Sequence, residues 1–265
     1  MAARMRDSKA RRSACLPRAT IAGWLYSAAR RDPAARLHLR PEDRPLRTHA
    51  ARTRWPIVVA GLAIALFVAV ALACGALPEV RATGFTQRTH PLAWLGAEGV
   101  PSAAAFNALG FGATGLLMAV ALATLRARLP AEAGWSARIG ARLLMLSALA
   151  FAAQGLYPID PQHPDDAATG LHGVVWTLWW LAFAAGAPLW ALSRHVAWGM
   201  TAIIAALGGL LVPLCAVAGA VAMSPALAER CAFALWLAWA AWSVGRAPLS
   251  RAGASGPGSS PTARR

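Results

Sequence analysis

The sequence predicts an all-α fold: a polytopic transmembrane bundle of six helices with both termini in the cytoplasm. Composition is the first reason. The 265 residues are 57% hydrophobic and only 14% charged, with mean hydropathy +0.46, whereas a soluble domain has about 45–50% apolar and about 25% charged residues. The second reason is that the apolar residues arrive in blocks near the length of about 20 residues that crosses a bilayer. The third is that basic residues alternate between abundant and scarce from one connecting loop to the next, as the positive-inside rule requires.

Residues 1–55 form a basic leader rich in Arg, Ala and Pro, with Arg11-Arg12, Arg30-Arg31 and the run Arg40 to Pro45. No sustained helical or strand period appears in it, so it reads as a disordered cytoplasmic segment. The transmembrane domain is expected over 56–245. Its first block, Ile57 to Leu77, has 21 residues and no charge. Ala71-Leu72-Ala73 resembles a signal-peptidase site, but the block exceeds the usual signal core of about 7–15 residues, and a retained span is expected. The second block is Phe106 to Leu125. The third, Ile139 to Ile159, contains Arg142 near its start and Gln154 near its end. The fourth is Leu171 to Leu192 and the fifth about Trp198 to Ala222. The sixth is the shortest, with 15 residues between Arg230 and Arg246. Residues 246–265, rich in Gly, Ser and Pro, read as a flexible cytoplasmic tail. Helix is the assignment for every block, because isolated strands would leave backbone groups unpaired in lipid.

Orientation follows from the loops. Fourteen Lys and Arg precede the first span, Arg126, Arg128 and Arg138 occupy the second loop, Arg194 the fourth, and Arg246, Arg251, Arg264 and Arg265 the tail. The alternate loops hold Arg81 and Arg88, then none over 160–170 and none over 223–229. Trp55, Trp94, Trp135, Trp190 and Trp198 fall near span ends, where membrane-interface tryptophans gather. The net charge of +15 is thus accounted for by leader and loops. Without a basic helix carrying interleaved aromatics, nucleic acid is not an expected partner. The four cysteines have no metal-type spacing, so neither a metal nor another cofactor is expected. Membrane lipids are the expected partners, in a multi-pass protein of the cell inner membrane.

Gly110-Phe111-Gly112-Ala113-Thr114-Gly115 has the spacing of a dinucleotide fingerprint, but that motif needs a strand before it and a soluble βαβ unit around it. Inside an apolar block it reads as packing. Ala104, Ala108 and Gly112 recur every four residues, as do Gly115, Ala119 and Ala123, a pattern that lets helices approach closely within the chain or between copies. Trp176, Trp179 and Trp180, and again Trp236, Trp239 and Trp242, make stripes expected to pack between helices or face lipid. Pro188 and Pro213 are expected to kink their helices.

The region with most chemistry is Gln154 to Asp166, followed by His172. Counting along the spans brings Asn107, Gln154, Asp160 and His172 to a similar depth at the outer ends of the second, third and fourth helices. Polar groups at membrane depth are costly unless paired. The pairing expected is Asp160 as acceptor and His172 as donor, favouring the imidazolium, with Glu98, Tyr157 and His163 around them. A structural network would have Asp160 capping a helix and His172 satisfied by a carboxylate or a backbone carbonyl. A ligand site would use the same four residues to hold a lipid headgroup or small molecule. A membrane hydrolase would use Asp160 and His172 as an acid–base pair, with or without a metal.

Gln87 to Pro101, then Phe106-Asn107 and the Gly-rich helix, resemble the first half of the membrane-protein family catalogued as domain of unknown function 998. Leu156-Tyr157-Pro158-Ile159-Asp160 with Leu171-His172-Gly173 resembles its second signature. The resemblance covers roughly 57–245 and implies a six-helix prokaryotic integral membrane protein without a settled activity, in which Asn107, Asp160 and His172 occupy motif positions.

Overall fold

The computed structural model describes residues 46–193, 199–218 and 223–246. The chain divides into two compact units, Met1–Thr48 and His49–Arg265. Nearly all of the first lies outside the described residues, as do Trp198, Arg194 and the C-terminal tail. The helical bundle belongs to the second.

All regular structure among the described residues is helical, and four helices are long and apolar enough to cross a membrane: Arg54–Ala76, Ala103–Ala127, Trp135–Leu156 and Ala167–Ala191. The elements are α1 (Leu46–Ala76), a short α2 (Pro78–Ala82), α3 (Ala103–Ala127), α4 (Trp135–Ala153), α5 (Ala167–Ala191), α6 (Met200–Pro213) and α7 (Pro225–Arg246). The helix of α1 begins at Leu46, so the end of the predicted disordered leader 1–55 is helical. Alanine and arginine propagate a helix at little cost once the apolar span has nucleated it.

The sixth block also proves longer than its charges suggest. α7 has 22 residues, about 33 Å of helix against a hydrocarbon core of about 30 Å. It starts before Arg230 because Ser224 accepts a hydrogen bond from the Leu227 N–H at 3.3 Å and Pro225 follows at a position suited to a first helical residue. The fifth block is a 14-residue helix that passes at Pro213 into a wide π-type turn, Leu214–Ala218. A second π-type segment, Phe106–Ala113, lies at the start of α3 without any proline. Pro188, in contrast, lies within the uninterrupted helix α5.

Neighbours in sequence are neighbours in the bundle: α3 packs on α4, α4 on α5, α5 on α6 and α6 on α7, and α7 returns to α3. Small residues set the spacing. A Cβ on Gly140 would lie 2.7 Å from the Trp190 backbone nitrogen, and one on Gly115 would lie 2.5 Å from that of Ala152. The fingerprint-like glycines therefore include a true helix contact, and Gly140 adds a second that belongs to neither four-residue repeat. Trp190, near the end of its span, is buried at that contact.

α1 joins the ring chiefly through Phe67, which packs against Phe106, Phe151 and Phe233 at centroid distances of 5.6–6.3 Å. It runs antiparallel to α7, with Ile57 beside Gly245 at one end and Leu72 near Arg230 at the other. At the centre, Phe151 stacks on Trp236 at 4.7 Å and Trp179 meets Phe233 at 5.2 Å. The Trp236 indole N–H donates to Ser147 Oγ at 3.1 Å. The tryptophan stripes thus supply packing: Trp179, Trp236 and Trp239 are buried, and each aromatic pair adds about 0.5–1.5 kcal/mol beyond its area.

Candidate functional site

The polar residues collect where α3, α4, α5 and α7 meet the segment 83–102 and the loop 157–166. The segment 83–102 turns at Gly84 and Gly99, whose φ values of 85° and 77° favour glycine, and contains a 3-10 turn, Leu92–Gly96. Ser102 Oγ donates to Leu95 O at 2.9 Å, and the Glu98 N–H donates to Ile159 O at 2.8 Å, linking segment to loop.

Asn107, Gln154 and His172 do gather here. Asn107 is buried and its amide donates to Gly96 O at 2.8 Å. Gly155, next to Gln154, packs directly on the Asn107 carbonyl, leaving no room for a side chain. Gln154 is fully buried, and both atoms of its amide lack a hydrogen-bond partner among the described residues. His172 is buried, its ring 6.1 Å from Phe111. Its Nδ1 lies 2.9 Å from Tyr157 O. A carbonyl can only accept, so Nδ1 carries a proton and donates it to Tyr157 O.

The expected bond between Asp160 and His172 is not formed. Asp160 accepts from the Gln162 N–H at 2.8 Å and pairs with His163 Nδ1 at 2.6 Å, and its backbone N–H donates to Thr169 Oγ1. Partners two and three residues away win because closing so short a loop costs less entropy than immobilising a distant side chain. His163 is therefore the true partner, and the hydrogen bond between them holds the Asp160 carboxyl below its ordinary range and the His163 imidazole above its own. Nor does Asp160 cap α5; Asp166 does, accepting from the Ala168 N–H at 3.0 Å.

Two residues at the start of α7 were not singled out from the sequence. Glu229 is buried, and its carboxylate accepts from the N–H groups of Leu92 and Ala93, the first donors of the 3-10 turn. These N–H groups have no partner within so short a helix, and an acid at a helix start is well placed to take them. Arg230 donates through Nη1 to His90 O at 2.9 Å and Ala226 O at 2.8 Å, and through Nη2 to Gln87 Oε1 at 2.7 Å. The one prior signal was an adjacent Glu-Arg pair at the edge of an apolar block.

A cavity of about 240 Å³ opens between these parts, lined by His172 and Trp176 of α5, Cys215 after α6, and Glu229 of α7, with Pro91 and Ala93 from the segment. Asn107, Gln154 and Asp160 do not line it. Among the described residues no group of three or more His, Cys, Asp or Glu side chains is arranged to hold a metal.

Four apolar helices of spanning length make this an integral membrane protein in class. Nothing narrower comes from comparison: no family model matches the chain, and no curated protein or solved structure matches it either.

Proposed function

We propose that the protein is a six-span inner-membrane protein with cytoplasmic termini that binds a small ligand or lipid headgroup at the outer end of its bundle. The antiparallel pairing of α1 and α7 supports the even number of spans, since Ile57 and Gly245 share one end. The length of α7 supports its crossing. Arg126, Arg128 and Arg138 favour a cytoplasmic side for the opposite end from loop 160–170.

The observation that carries the binding role is that His172 and Glu229, both buried and drawn from different helices, line one cavity. Its polar lining groups are the His172 imidazole and the Glu229 carboxyl, and Trp176 offers an aromatic wall. That set suits a ligand with N–H donors or an ammonium group. The hydrolytic alternative has less support, because Asp160 and His172 each hold other partners.

Cys215 reports on this cavity. In a variant whose other cysteines are replaced, a small methanethiosulfonate reagent should label Cys215, and glycerophosphoethanolamine should slow the labelling in wild-type background but not in Glu229→Gln. Labelling that glycerophosphoethanolamine leaves unchanged would remove the binding role. Topology is tested separately: cysteine introduced at Gln162 should react with an impermeant reagent in intact spheroplasts. Reaction only after lysis would reverse the orientation.

A further inference from the structure

A second cavity, of about 320 Å³, lies on the other side of the segment 83–102, between α1 and α7. Ile64, Val68 and Leu72 on α1 face Arg230, Ala234 and Ala238 on α7, each a row at spacing four. Eight residues of helix make the groove about 12 Å long. Its floor stays open because Ala234 and Ala238 are small where Val68 and Leu72 stand on the facing helix, and all four are exposed. The walls are apolar along that length. Only at one end do polar groups appear, the Arg230 guanidinium and the Gln87 amide.

Shape and charge together identify what fits. One acyl chain is slender enough. At the polar end, the hydrogen bonds of Arg230 use three of its five N–H donors, and every acceptor is uncharged. The neighbouring Glu229 carboxyl attracts Arg230 through space but turns its oxygens to Leu92 and Ala93, and among the described residues no carboxylate lies within ion-pair distance of Arg230. A guanidinium in that state, at the end of an apolar groove, matches a phosphate attached to an alkyl chain.

We infer that the α1–α7 groove is a binding site for an anionic phospholipid of the surrounding leaflet, one acyl chain lying along Ile64 to Leu72 and the phosphate on Arg230. This site is distinct from the His172–Glu229 cavity and stands or falls independently of it. The lipid bridges α1, the helix least embraced by the ring, to α7.

The test uses the full chain in phosphatidylcholine vesicles with and without phosphatidylglycerol, with retained lipid read by native mass spectrometry after detergent release. Wild type should retain one phosphatidylglycerol in preference to phosphatidylcholine. Arg230→Gln should lower that preference about tenfold, the value of a charge-assisted hydrogen bond. Ala234→Trp, which fills the groove at an exposed position, should abolish retention while keeping Arg230, and it decides the matter if Arg230→Gln does not accumulate. Arg126→Gln, at the other end of the bundle, should change nothing. Equal retention by wild type and Ala234→Trp would overturn the proposal, as would thermal stabilisation by glycerol phosphate alone equal to that by the lipid.

Discussion

The loop 157–166 and the segment 83–102 lie at the same end of the bundle, and each carries an acid and a histidine. They bond in opposite ways. Asp160 satisfies itself within its own turn, through Gln162 and an exposed His163. Glu229 and Arg230 reach across more than 130 residues of sequence to hold the other segment by its backbone. The first region is dense in polar side chains, yet it holds its neighbours through its backbone, Tyr157 O on His172 and Ile159 O on the Glu98 N–H. The start of α7, which holds the segment 83–102, has a single acid–base pair in an apolar context, yet it lines a cavity on each side: Glu229 the smaller and Arg230 the larger. Density of ionisable residues in a stretch of sequence therefore marked a solvated turn, while a sparse pair marked the joint between elements. Burial explains the inversion, since a charged group in an apolar helix persists only where specific partners meet it.

The contrast can be broken most directly at Glu229. Glu229→Ala leaves the Leu92 and Ala93 N–H groups buried without acceptors and opens space between helix and segment. It should lower the stability of the purified protein by about 3 kcal/mol or more, measured by chemical denaturation in detergent. A loss no larger than that of Asp160→Ala would erase the distinction between the solvated turn and the joint.

Coupling sharpens it further. Asp160 and His172 share no bond, so Asp160→Ala and His172→Ala should add to within about 0.5 kcal/mol in the double variant. His172 and Glu229 line the same cavity, so His172→Ala with Glu229→Gln should depart from additivity by more than that. A large coupling between Asp160 and His172 would restore the pairing that the structure dissolves.

The smallest expected effect is a pH dependence confined to loop 157–166. The Asp160 carboxyl is held below its ordinary value of 3.8, so its contribution is present above that value and is lost as pH falls through the lowered one. The His163 imidazole is held above its ordinary 6.5, so its contribution is present below 6.5 and is lost as pH rises through the raised value. The turn should accordingly be tightest between 3.8 and 6.5. NMR titration of the His163 ring should show a midpoint above 6.5 that moves back toward it in Asp160→Asn. An unchanged midpoint would show that the hydrogen bond is not what raises it.

Much of the architecture was legible because it is local. Helical periodicity and small-residue spacing act within one or two turns and block length within a single helix, so the helices and the Gly115 contact could be read directly. Depth along a helix is also local arithmetic, and it brought Asn107, Gln154 and His172 to one end of the bundle. The start of α7 was legible too, in Ser224-Pro225, but the charge at Arg230 read as the edge of the span and hid it. What only the tertiary structure decided was which polar groups meet. Asp160 chose His163 over His172, His172 took a backbone carbonyl, and Glu229 found two N–H groups that no side-chain pattern encodes. Backbone donors and acceptors occur at almost every residue, so a sequence does not say which of them a buried side chain will find. That choice is made by packing, when Phe151, Trp179, Phe233 and Trp236 bring the helices together and leave each buried charge with the acceptors and donors within its reach.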